Sequence, residues 1–334
     1  MKPFSILFKC VGGACNLNCN YCFYNGHPSG AMPEDTLRMA LDAYAELPFD
    51  GKLVSFQGGE PLMPAGATLL KIADEYPFAK SLQTNATLIT EEIAAQLACG
   101  GWLAGASLDG PPNMNRLRGD SFDDAVRGIR LLERHGVEYN IMTVVSKANV
   151  SCPREIYRYF RDNFKTRFHQ YIECTGPRDA ISGEEWGRFL TGLFDEWILH
   201  DAHEISVRLF DSIVSQIIRG TPTQCSFGRS CRQHLVIEHD GSVYPCDFHV
   251  SDETCLGNIR THSLAEIAES PKYRAFAEAK VKNLPQKCEE CPYMAFCNGD
   301  CPRNNRTLCE GWKMFFDHSL KRFQELAAEA MLNL

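Results

Sequence analysis

The sequence lacks long apolar runs and has no excess of basic residues. Lys and Arg total 34 against 42 Asp and Glu, which gives a formal net charge of −8 at pH 7. A general nucleic-acid-binding protein usually shows a basic face, so this balance disfavours that class. No segment has the roughly 18 consecutive apolar residues that a membrane span needs. We therefore predict a protein without nucleic-acid or membrane partners.

A secretion signal is also not predicted, although Val11–Cys15 reads V-G-G-A-C and is similar to a lipoprotein cleavage site. The apolar stretch before it spans about five residues and ends at Lys9, whereas a signal peptide needs an apolar core of roughly 7–15 residues. We therefore predict a cytoplasmic location. In that reducing compartment the sixteen cysteines are expected to bind metal rather than to form disulfides.

Short apolar runs alternate with amphipathic segments in the first half of the chain. The runs predict strands over Ser5–Val11, Lys52–Gln57, Lys80–Asn85, Trp102–Leu108, Glu138–Val145 and Arg167–Ile172. The intervening segments predict helices, including Glu34–Leu47, Glu91–Cys99 and Phe122–His135. Six strand–helix repeats indicate an α/β fold with parallel strands and right-handed crossovers. In such sheets the functional side chains gather at the carboxyl ends of the strands.

The pattern changes near residue 182. Helices are predicted over Ser182–His200, Ser206–Arg219 and Trp312–Leu334, the last with an apolar stripe that is expected to pack. Three pairs are predicted to form capping boxes, namely Ser121 with Asp124, Ser182 with Glu185, and Ser263 with Glu266. After Thr221 the chain is rich in cysteine and weakly periodic, which indicates a module held together by metal.

Three cysteines follow the first predicted strand, Cys15, Cys19 and Cys22 in the run C-N-L-N-C-N-Y-C. Three thiolates are one fewer than full ligation of a four-iron cluster requires. The spacing therefore suggests a [4Fe–4S] cluster with one open iron. A structural zinc site is the alternative, because Cys10 or His27 could supply a fourth ligand.

This C-x3-C-x2-C run, ending in an aromatic pair, resembles the signature of radical S-adenosylmethionine (SAM) enzymes. The resemblance implies that the open iron chelates the methionine part of SAM, whose reductive cleavage releases a 5′-deoxyadenosyl radical. The sequence G-G-E-P directly after the second strand is similar to the motif that binds the methionine ammonium in this superfamily. It assigns Gly59 and Glu60 to SAM binding, with a simple strand-ending turn as the alternative.

The same resemblance suggests four further cofactor residues. Ser107, in G-A-S-L-D-G, is similar to the serine that meets the SAM carboxylate, and Asn85 is expected to face the same cavity. Arg127 is predicted as a carboxylate partner, since a guanidinium forks well onto a carboxylate. Its competitors are three nearby arginines, Arg116, Arg118 and Arg130. Tyr21, before the third cysteine, is expected to help cover the adenine.

A second cysteine-rich region begins at Cys225. Its eight cysteines resemble the SPASM extension, which holds two auxiliary [4Fe–4S] clusters. The resemblance assigns one cluster to Cys225, Cys231, Cys246 and Cys301, and the other to Cys288, Cys291, Cys297 and Cys309. A zinc ribbon accounts for only part of this spacing. The remaining cysteines, Cys10, Cys99, Cys152, Cys174 and Cys255, have no assigned role, and most are expected to be buried.

Y-P-C-D at Tyr244–Asp247 and L-C-E-G-W-K-M-F-F-D-H at Leu308–His318, together with S-L-D-G-P, resemble anaerobic sulfatase-maturating enzymes. That family oxidises a cysteine or serine of a sulfatase to formylglycine. The resemblance implies Asp247 as the proton-accepting base. It also implies a sulfatase-like protein or peptide as substrate and a reducing partner such as flavodoxin or ferredoxin.

The sequence departs from that family in two places. The sixth strand ends Y-I-E-C-T-G, where the family more often has an apolar-Pro run that shapes the substrate cavity. Only seven residues separate Cys301 from Cys309. Either change is compatible with a different peptide or a smaller substrate.

The predicted architecture is a partial parallel (β/α)6 TIM-like barrel over residues 1–200, a helical linker over 201–224, and a SPASM module with a C-terminal helix over 225–334. Three other functions stay open on the sequence. They are crosslinking or epimerisation of ribosomal peptides by a SPASM enzyme, dehydrogenation of a small molecule, and a zinc-dependent interaction protein without catalysis.

Overall fold

The structure is a computed structural model that describes residues 4–176, 178–282 and 284–332. Its strands are β1 (Phe4–Lys9), β2 (Lys52–Phe56), β3 (Ala79–Thr84), β4 (Trp102–Ser107), β5 (Glu138–Val145), β6 (Phe168–Glu173), β7 (Ser206–Val207), β8 (His234–Glu238), β9 (Ser242–Tyr244) and β10 (Gly257–Asn258). Its α-helices are α1 (Glu34–Ala45), α2 (Pro64–Ala73), α3 (Glu91–Cys99), α4 (Phe122–His135), α5 (Pro153–Asn163), α6 (Gly183–His200), α7 (Arg208–Arg219), α8 (Leu264–Ala268), α9 (Pro271–Lys282), α10 (Gln286–Glu289), α11 (Met294–Cys297) and α12 (Cys309–Leu332).

The predicted α/β class with parallel strands is confirmed. Strands β1 to β6 coincide with the predicted strands to within two residues at each end, and β5, α3 and α4 have the predicted bounds. The alternation of apolar and polar residues explains this agreement, since β5 buries every second side chain. Strands β8 to β10 lie outside the predicted set, because they are short and occur in the weakly periodic, cysteine-rich part of the chain.

The chain forms two compact units, and the first contains Met1–Ser107, Arg118–Tyr139 and Cys231–Glu278. Its strands are ordered β10-β9-β8-β1-β2-β3-β4. Strand β1 is parallel to β2 on one side and to β8 on the other, while β9 and β10 add in antiparallel fashion. The segment that carries Cys246 and Asp247 therefore follows a strand, β9, of the same sheet as β1, the strand before the first cysteine run.

The second unit contains Leu108–Leu117, Asn140–Ser230 and Ala279–Leu334. Strands β5, β6 and β7 are parallel there, and helices α6, α7 and α12 pack together. The apolar stripe predicted for the last helix is buried at Phe315, Phe316 and Phe323, which confirms its packing role. Phe323 contacts the ring of Phe194 on α6 at 4.7 Å between ring centroids.

The two units group residues by contacts, whereas the predicted domains group them by expected role. The domain boundaries near residues 200 and 224 therefore stay a prediction. Among the described residues, the structure contains no helix with the length and apolar character of a bilayer-crossing segment.

One of the three predicted capping boxes forms. The Ser182 hydroxyl accepts a bond from the Glu185 amide at 3.2 Å, and the Glu185 carboxylate accepts one from the Ser182 amide at 2.7 Å. The prediction for Ser121 is wrong, because its hydroxyl donates to the carbonyl of Arg118 at 3.0 Å instead. Ser263 also precedes its helix without a side-chain capping bond.

The crossing of α6 and α12 depends on glycine. A Cβ at Gly311 would lie 2.0 Å from the carbonyl oxygen of Gly183 and 2.9 Å from the amide nitrogen of Gly187. Both neighbours are backbone atoms, so the two helices have to separate if this position carries a side chain. The sequence G-x-x-x-G at Gly183 and Gly187 thus allows close helix packing.

We expect Gly311→Ala to lower the free energy of unfolding by about 2 kcal/mol, because the added methyl group overpacks this crossing. Denaturant unfolding of the reconstituted protein under anaerobic conditions measures the change. The matched control is Gln324→Ala on an exposed position of the same helix, with an expected change below about 0.5 kcal/mol. Equal effects of the two substitutions would contradict this account of the crossing.

Candidate active site

The three-cysteine run lies in the loop between β1 and α1. Cys15 is exposed, and Cys19 and Cys22 are half-buried, so the three thiols are accessible to a metal centre. The chain turns within the run, since the Cys22 amide donates to the Cys19 carbonyl at 3.1 Å. The Cys15 sulfur accepts from the Leu17 amide at 3.4 Å. A donor set of three soft thiolates fits an iron–sulfur cluster with one further coordination position.

The G-G-E segment after β2 is joined to this loop by the backbone. The Gly59 amide donates to the Gly12 carbonyl and the Glu60 amide to the Ala14 carbonyl, both at 2.8 Å. A Cβ at residue 59 would lie 1.9 Å from the Ala14 oxygen, and Gly58 has a φ of +127°. Both positions therefore require glycine, one for close approach and the other for its backbone conformation.

The Glu60 carboxylate is buried and held by three donors. It accepts from the Leu62 amide at 3.0 Å, the Thr84 hydroxyl at 2.8 Å and the Asn85 amide at 2.7 Å. Burial raises the pKa of Glu60 to about 7, although the hydrogen bonds and the charge of Arg118 act against the rise. A buried, oriented carboxylate of this kind fits a cationic ligand, because a cation compensates the cost of its negative charge.

The Asn85 side chain lies beside the first cysteine. Its amide nitrogen donates to the Asn16 side chain at 2.9 Å and lies 3.8 Å from the Cys15 sulfur, while its oxygen accepts two bonds from Thr87. Asn85 thus links the end of β3 to the cysteine loop. Its direct contact with a cofactor stays a prediction.

The candidate arginines have different surroundings. Arg127 donates to the backbone carbonyls of Thr87 and Ile89 at 2.8 and 3.0 Å, and half of its side chain is exposed. Arg118 is buried and donates to the Tyr21 hydroxyl at 2.8 Å. Arg127 supports the loop after β3, whereas the charge of Arg118 lowers the pKa of Glu60. Ser107 is half-buried at the end of β4. The roles predicted for Tyr21, Ser107 and Arg127 stay predictions.

Asp247 lies in a cluster of polar side chains from the ends of several strands. Its carboxylate accepts a long hydrogen bond from Gln57 at 3.4 Å and lies 3.6 Å from the Lys9 amine. The Cys246 sulfur is 3.8 Å from the other carboxylate oxygen. Ligand atoms of His234, Cys246 and Asp247 all lie within 4.8 Å of one another. Burial lowers the pKa of His234, so its ring is neutral near pH 7.

A second buried carboxylate, Glu238 at the end of β8, is paired with Tyr24. The Tyr24 hydroxyl lies 2.5 and 2.7 Å from the two carboxylate oxygens, and the ring stacks on His27 at 4.2 Å. Burial raises the pKa of Tyr24, and the hydrogen bond to Glu238 adds to the rise. Tyr24 therefore donates a proton to this bond and is not a free acid or nucleophile.

Several C-terminal cysteines of the second unit lie close enough to affect one another's pKa. Burial raises the pKa of Cys297 to about 12, with Asp300 and Cys309 adding to the rise. Burial also raises the pKa of Cys301 to about 12, and Cys225 contributes. The thiolate, not the thiol, is the form that binds a metal. Because burial keeps these thiols protonated, a bound cation is needed to ionise them. The assignment of these cysteines to two clusters stays a prediction.

In the first unit, Cys231 and Cys246 both act on the ring hydroxyl of Tyr273 and raise its pKa, although burial is the larger cause. None of the sixteen cysteines, which all lie among the described residues, forms a disulfide. Of the five without an assigned role, Cys10 and Cys174 are buried as expected, whereas Cys99 is exposed and Cys152 and Cys255 are half-buried.

The unusual end of the sixth strand has partners within the second unit. Glu173 accepts hydrogen bonds from Arg303 at 3.2 Å and from Asn304 at 2.8 Å. The Asn304 amide also donates to Asp300 at 2.9 Å. Burial raises the pKa of Asp300 to about 6, and Glu173 adds to the rise. The charged end of β6 is therefore part of a polar network next to the cysteines.

Sequence reasoning missed four residues of the site: Lys9, Gln57, Tyr24 and Glu238. Lys9 lies near the end of the predicted strand Ser5–Val11, Gln57 ends the predicted strand Lys52–Gln57, and these positions were the available signal. Tyr24 belongs to the aromatic pair that closes the cysteine run. Glu238 had no local signal, because its strand β8 was not predicted.

Comparison with known families and proteins agrees with these features. Residues 10–160 match the Radical SAM superfamily, and residues 225–292 match SPASM, an iron-sulfur cluster-binding domain. The serine-type anaerobic sulfatase-maturating enzyme of Bacteroides thetaiotaomicron is 32% identical, over 95% of this chain and 89% of that protein. The cysteine-type enzyme of Clostridium perfringens is 31% identical, over 98% and 99%.

Solved structures show the same fold. Native anSMEcpe with bound AdoMet and the Cp18Cys peptide superposes with a TM-score of 0.90 at 29% identity, over 98% of this chain and 99% of that chain. Streptococcus suis SuiB bound to its precursor peptide SuiA has a TM-score of 0.71 at 19% identity, over 90% and 72%. The second likeness shows the fold alone.

We expect Tyr24→Phe to lower the free energy of unfolding by about 2 kcal/mol, because the buried Glu238 carboxylate loses its hydroxyl donor. Anaerobic denaturant unfolding measures the loss. The control is Tyr76→Phe, which removes an exposed hydroxyl bond of 2.7 Å to Asp42 and is expected to cost less than about 0.5 kcal/mol. If both variants unfold alike, Glu238 does not depend on Tyr24.

Proposed function

Because this chain belongs to the family of anaerobic sulfatase-maturating enzymes, within the radical SAM superfamily, we propose that it oxidises a cysteine or serine side chain of a sulfatase to formylglycine. The enzyme is a radical SAM oxidoreductase with a SPASM domain, and its cofactors are SAM and [4Fe–4S] clusters. The observation that carries the proposed reaction is the buried Asp247 carboxylate directly after Cys246, which lies 3.6 Å from the amine of Lys9, the last residue of the strand before the first cysteine loop.

The residues proposed to bind SAM lie in and around the first cysteine loop. Cys15, Cys19 and Cys22 would hold the first cluster, which would leave one iron for the methionine part of SAM. Glu60 is the partner of the methionine ammonium, since it is buried, fixed by three donors and without a positive charge in hydrogen-bond contact among the described residues. Gly59 allows the backbone to approach the loop, and Asn85 orients Cys15.

Ser107 and Arg127 remain proposed partners of the SAM carboxylate, and Tyr21 of the adenine. Arg118 supports this assignment of Tyr21, because its guanidinium holds the Tyr21 hydroxyl at 2.8 Å. Arg118 is also the more buried of the two arginines, so we add it as a residue that shapes the electrostatics of the cofactor site.

When bound, SAM supplies the 5′-deoxyadenosyl radical that takes a hydrogen atom from the β-carbon of the target residue. The target then has to lose one electron and the proton of its thiol or hydroxyl to reach the oxidation level of a thioaldehyde or aldehyde. Asp247 is the proposed acceptor of that proton, since a positioned carboxylate is a competent general base. Water releases sulfide from a thioaldehyde and gives the same formylglycine.

The auxiliary cysteines are proposed to hold two further [4Fe–4S] clusters, which accept the electron from the target. The electrostatic pairing of Cys297 with Cys309, and of Cys301 with Cys225, supports this arrangement. A low-potential donor such as flavodoxin or ferredoxin is proposed to reduce the first cluster. None of the sixteen cysteines, all of them among the described residues, forms a disulfide, which supports a location in the reducing cytoplasm.

The proposed function predicts a defined change in a substrate peptide. Reduced, reconstituted enzyme with SAM and a C-x-P-x-R or S-x-P-x-R peptide should lower the peptide mass by about eighteen units for cysteine or about two for serine, together with one 5′-deoxyadenosine per event. Mass spectrometry measures both products. A peptide with alanine at the target position is the control. An unchanged mass for both peptides, despite cofactor cleavage, would contradict formylglycine formation.

Asp247→Asn separates cofactor cleavage from product formation. We expect formylglycine per 5′-deoxyadenosine to fall by roughly a hundredfold, because the amide cannot accept the target's proton. Chromatography of 5′-deoxyadenosine and mass spectrometry of the peptide give this ratio. The control is Asp240→Asn in the exposed β8–β9 turn, which should keep the parent ratio. An undiminished ratio in Asp247→Asn would remove Asp247 from the role of base.

A further inference from the structure

Lys9, the last residue of β1, is fully buried. Among the described residues its ammonium nitrogen has no hydrogen-bond acceptor within bonding distance. Burial of an ammonium is costly unless an opposite charge or another favourable contact compensates for it. The position of this side chain therefore depends on the few groups that surround its charge.

Two kinds of contact surround the Lys9 ammonium. The nearest carboxylate oxygen is Oδ2 of Asp247, at 3.6 Å. The ammonium also faces the ring of Tyr24 at 4.4 Å from its centroid and the ring of Phe23 at 5.6 Å. Aromatic faces attract cations, and this attraction is stronger where water is excluded.

The aromatic side of this cage is itself fixed. The Tyr24 hydroxyl is bound to the buried Glu238 carboxylate, so the ring cannot turn away without loss of that bond. Phe23 packs against Phe248 at 4.4 Å between centroids, and Phe248 directly follows Asp247 in the chain. Lys9 thus lies between the residues that follow the third cysteine of the first cluster and those that follow Cys246.

The other support of Asp247 is weak. The Gln57 amide reaches the same carboxylate oxygen at 3.4 Å, which is at the long end of hydrogen-bond distances. The neighbouring Cys246 sulfur is a proposed cluster ligand and so has another role. The Lys9 ammonium, at 3.6 Å, therefore adds a charged constraint on where this carboxylate points.

We infer that Lys9 is a positioning residue: its caged ammonium holds the Asp247 carboxylate in the orientation that receives the proton of the target residue. The inference rests on the proposed role of Asp247 as the base. It gives Lys9 no contact with the cofactor and no proton transfer of its own. Through its contacts with Tyr24 and Asp247, Lys9 also connects the loop after Cys22 to the segment that carries the proposed base.

The test compares Lys9→Met, which keeps an unbranched side chain one atom shorter and removes its charge, with Lys9→Arg, which keeps the charge. The matched control is Lys80→Met, because Lys80 lies 3.6 Å from Asp74 in the same unit, away from the site. We expect Lys9→Met to lower formylglycine per 5′-deoxyadenosine roughly tenfold or more, since a carboxylate displaced by about 1 Å loses its alignment. Lys9→Arg should recover most of the ratio, and Lys80→Met should keep it.

A double variant tells whether Lys9 acts through Asp247. The ratio for Lys9→Met combined with Asp247→Asn should equal that of Asp247→Asn alone, because residues that act as one unit are not additive. A further loss in the double variant would overturn the inference, and so would a Lys9→Met ratio within twofold of the parent. Loss of iron or thermal stability in Lys9→Met relative to Lys80→Met would assign Lys9 a structural role instead.

A structural readout keeps the inference testable if the parent enzyme forms no formylglycine. The crystal structure of Lys9→Met should show the Asp247 carboxylate turned away from its parent position, with that of Lys80→Met unchanged. An unmoved carboxylate would overturn the positioning role, whatever the substrate is. The peptide assay on the parent enzyme tests the proposed function separately.

Discussion

The site depends on two backbone hydrogen bonds between the cysteine loop and the segment after β2. The amides of Gly59 and Glu60 bind the carbonyls of Gly12 and Ala14, and no side chain fits between the two segments. This contact fixes how far the Glu60 carboxylate lies from the loop of Cys15. A proposed cluster ligand and a proposed cofactor ligand from different parts of the chain are thereby held at a fixed separation. Neither could be displaced without breaking the other's backbone bonds.

Two buried carboxylates of the first unit are stabilised in different ways, and the difference agrees with their proposed roles. Glu60 is held by three uncharged donors, and burial raises its pKa to about 7, so it gains most from a cationic ligand. Asp247 already has the Lys9 ammonium beside it. Glu60 therefore favours a cationic ligand, whereas the charge of Asp247 is already compensated by Lys9 of the protein itself.

Much of this arrangement could be predicted from local sequence patterns. The spacing of Cys15, Cys19 and Cys22, the G-G-E motif and the capping box at Ser182 each depend on neighbouring residues, and the structure has the corresponding local geometry. The Ser121 box failed because a nearby carbonyl competes for its hydroxyl, which no local pattern reveals. A lysine at the end of an apolar strand gives no sign of whether its amine reaches water or is caged by aromatic rings.

The larger omission concerned β8, whose short and apolar sequence was obscured by the surrounding cysteines. Its prediction needed knowledge of its partner, and that partner is β1, more than 220 residues earlier. Pairing of this kind cannot be derived from periodicity within a window. The same omission hid Glu238 and, with it, the reason why Tyr24 is fixed in place.

The parallel pairing of β8 with β1 also limits how such proteins can be divided or recombined. If the chain were cut before β8, the unpaired edge of β1 would present a row of open amides and carbonyls, which favours aggregation with other chains. The cysteine-rich part therefore cannot be exchanged freely for another domain, because it contributes β8 to the sheet. Any replacement would have to bring its own strand to cover that edge.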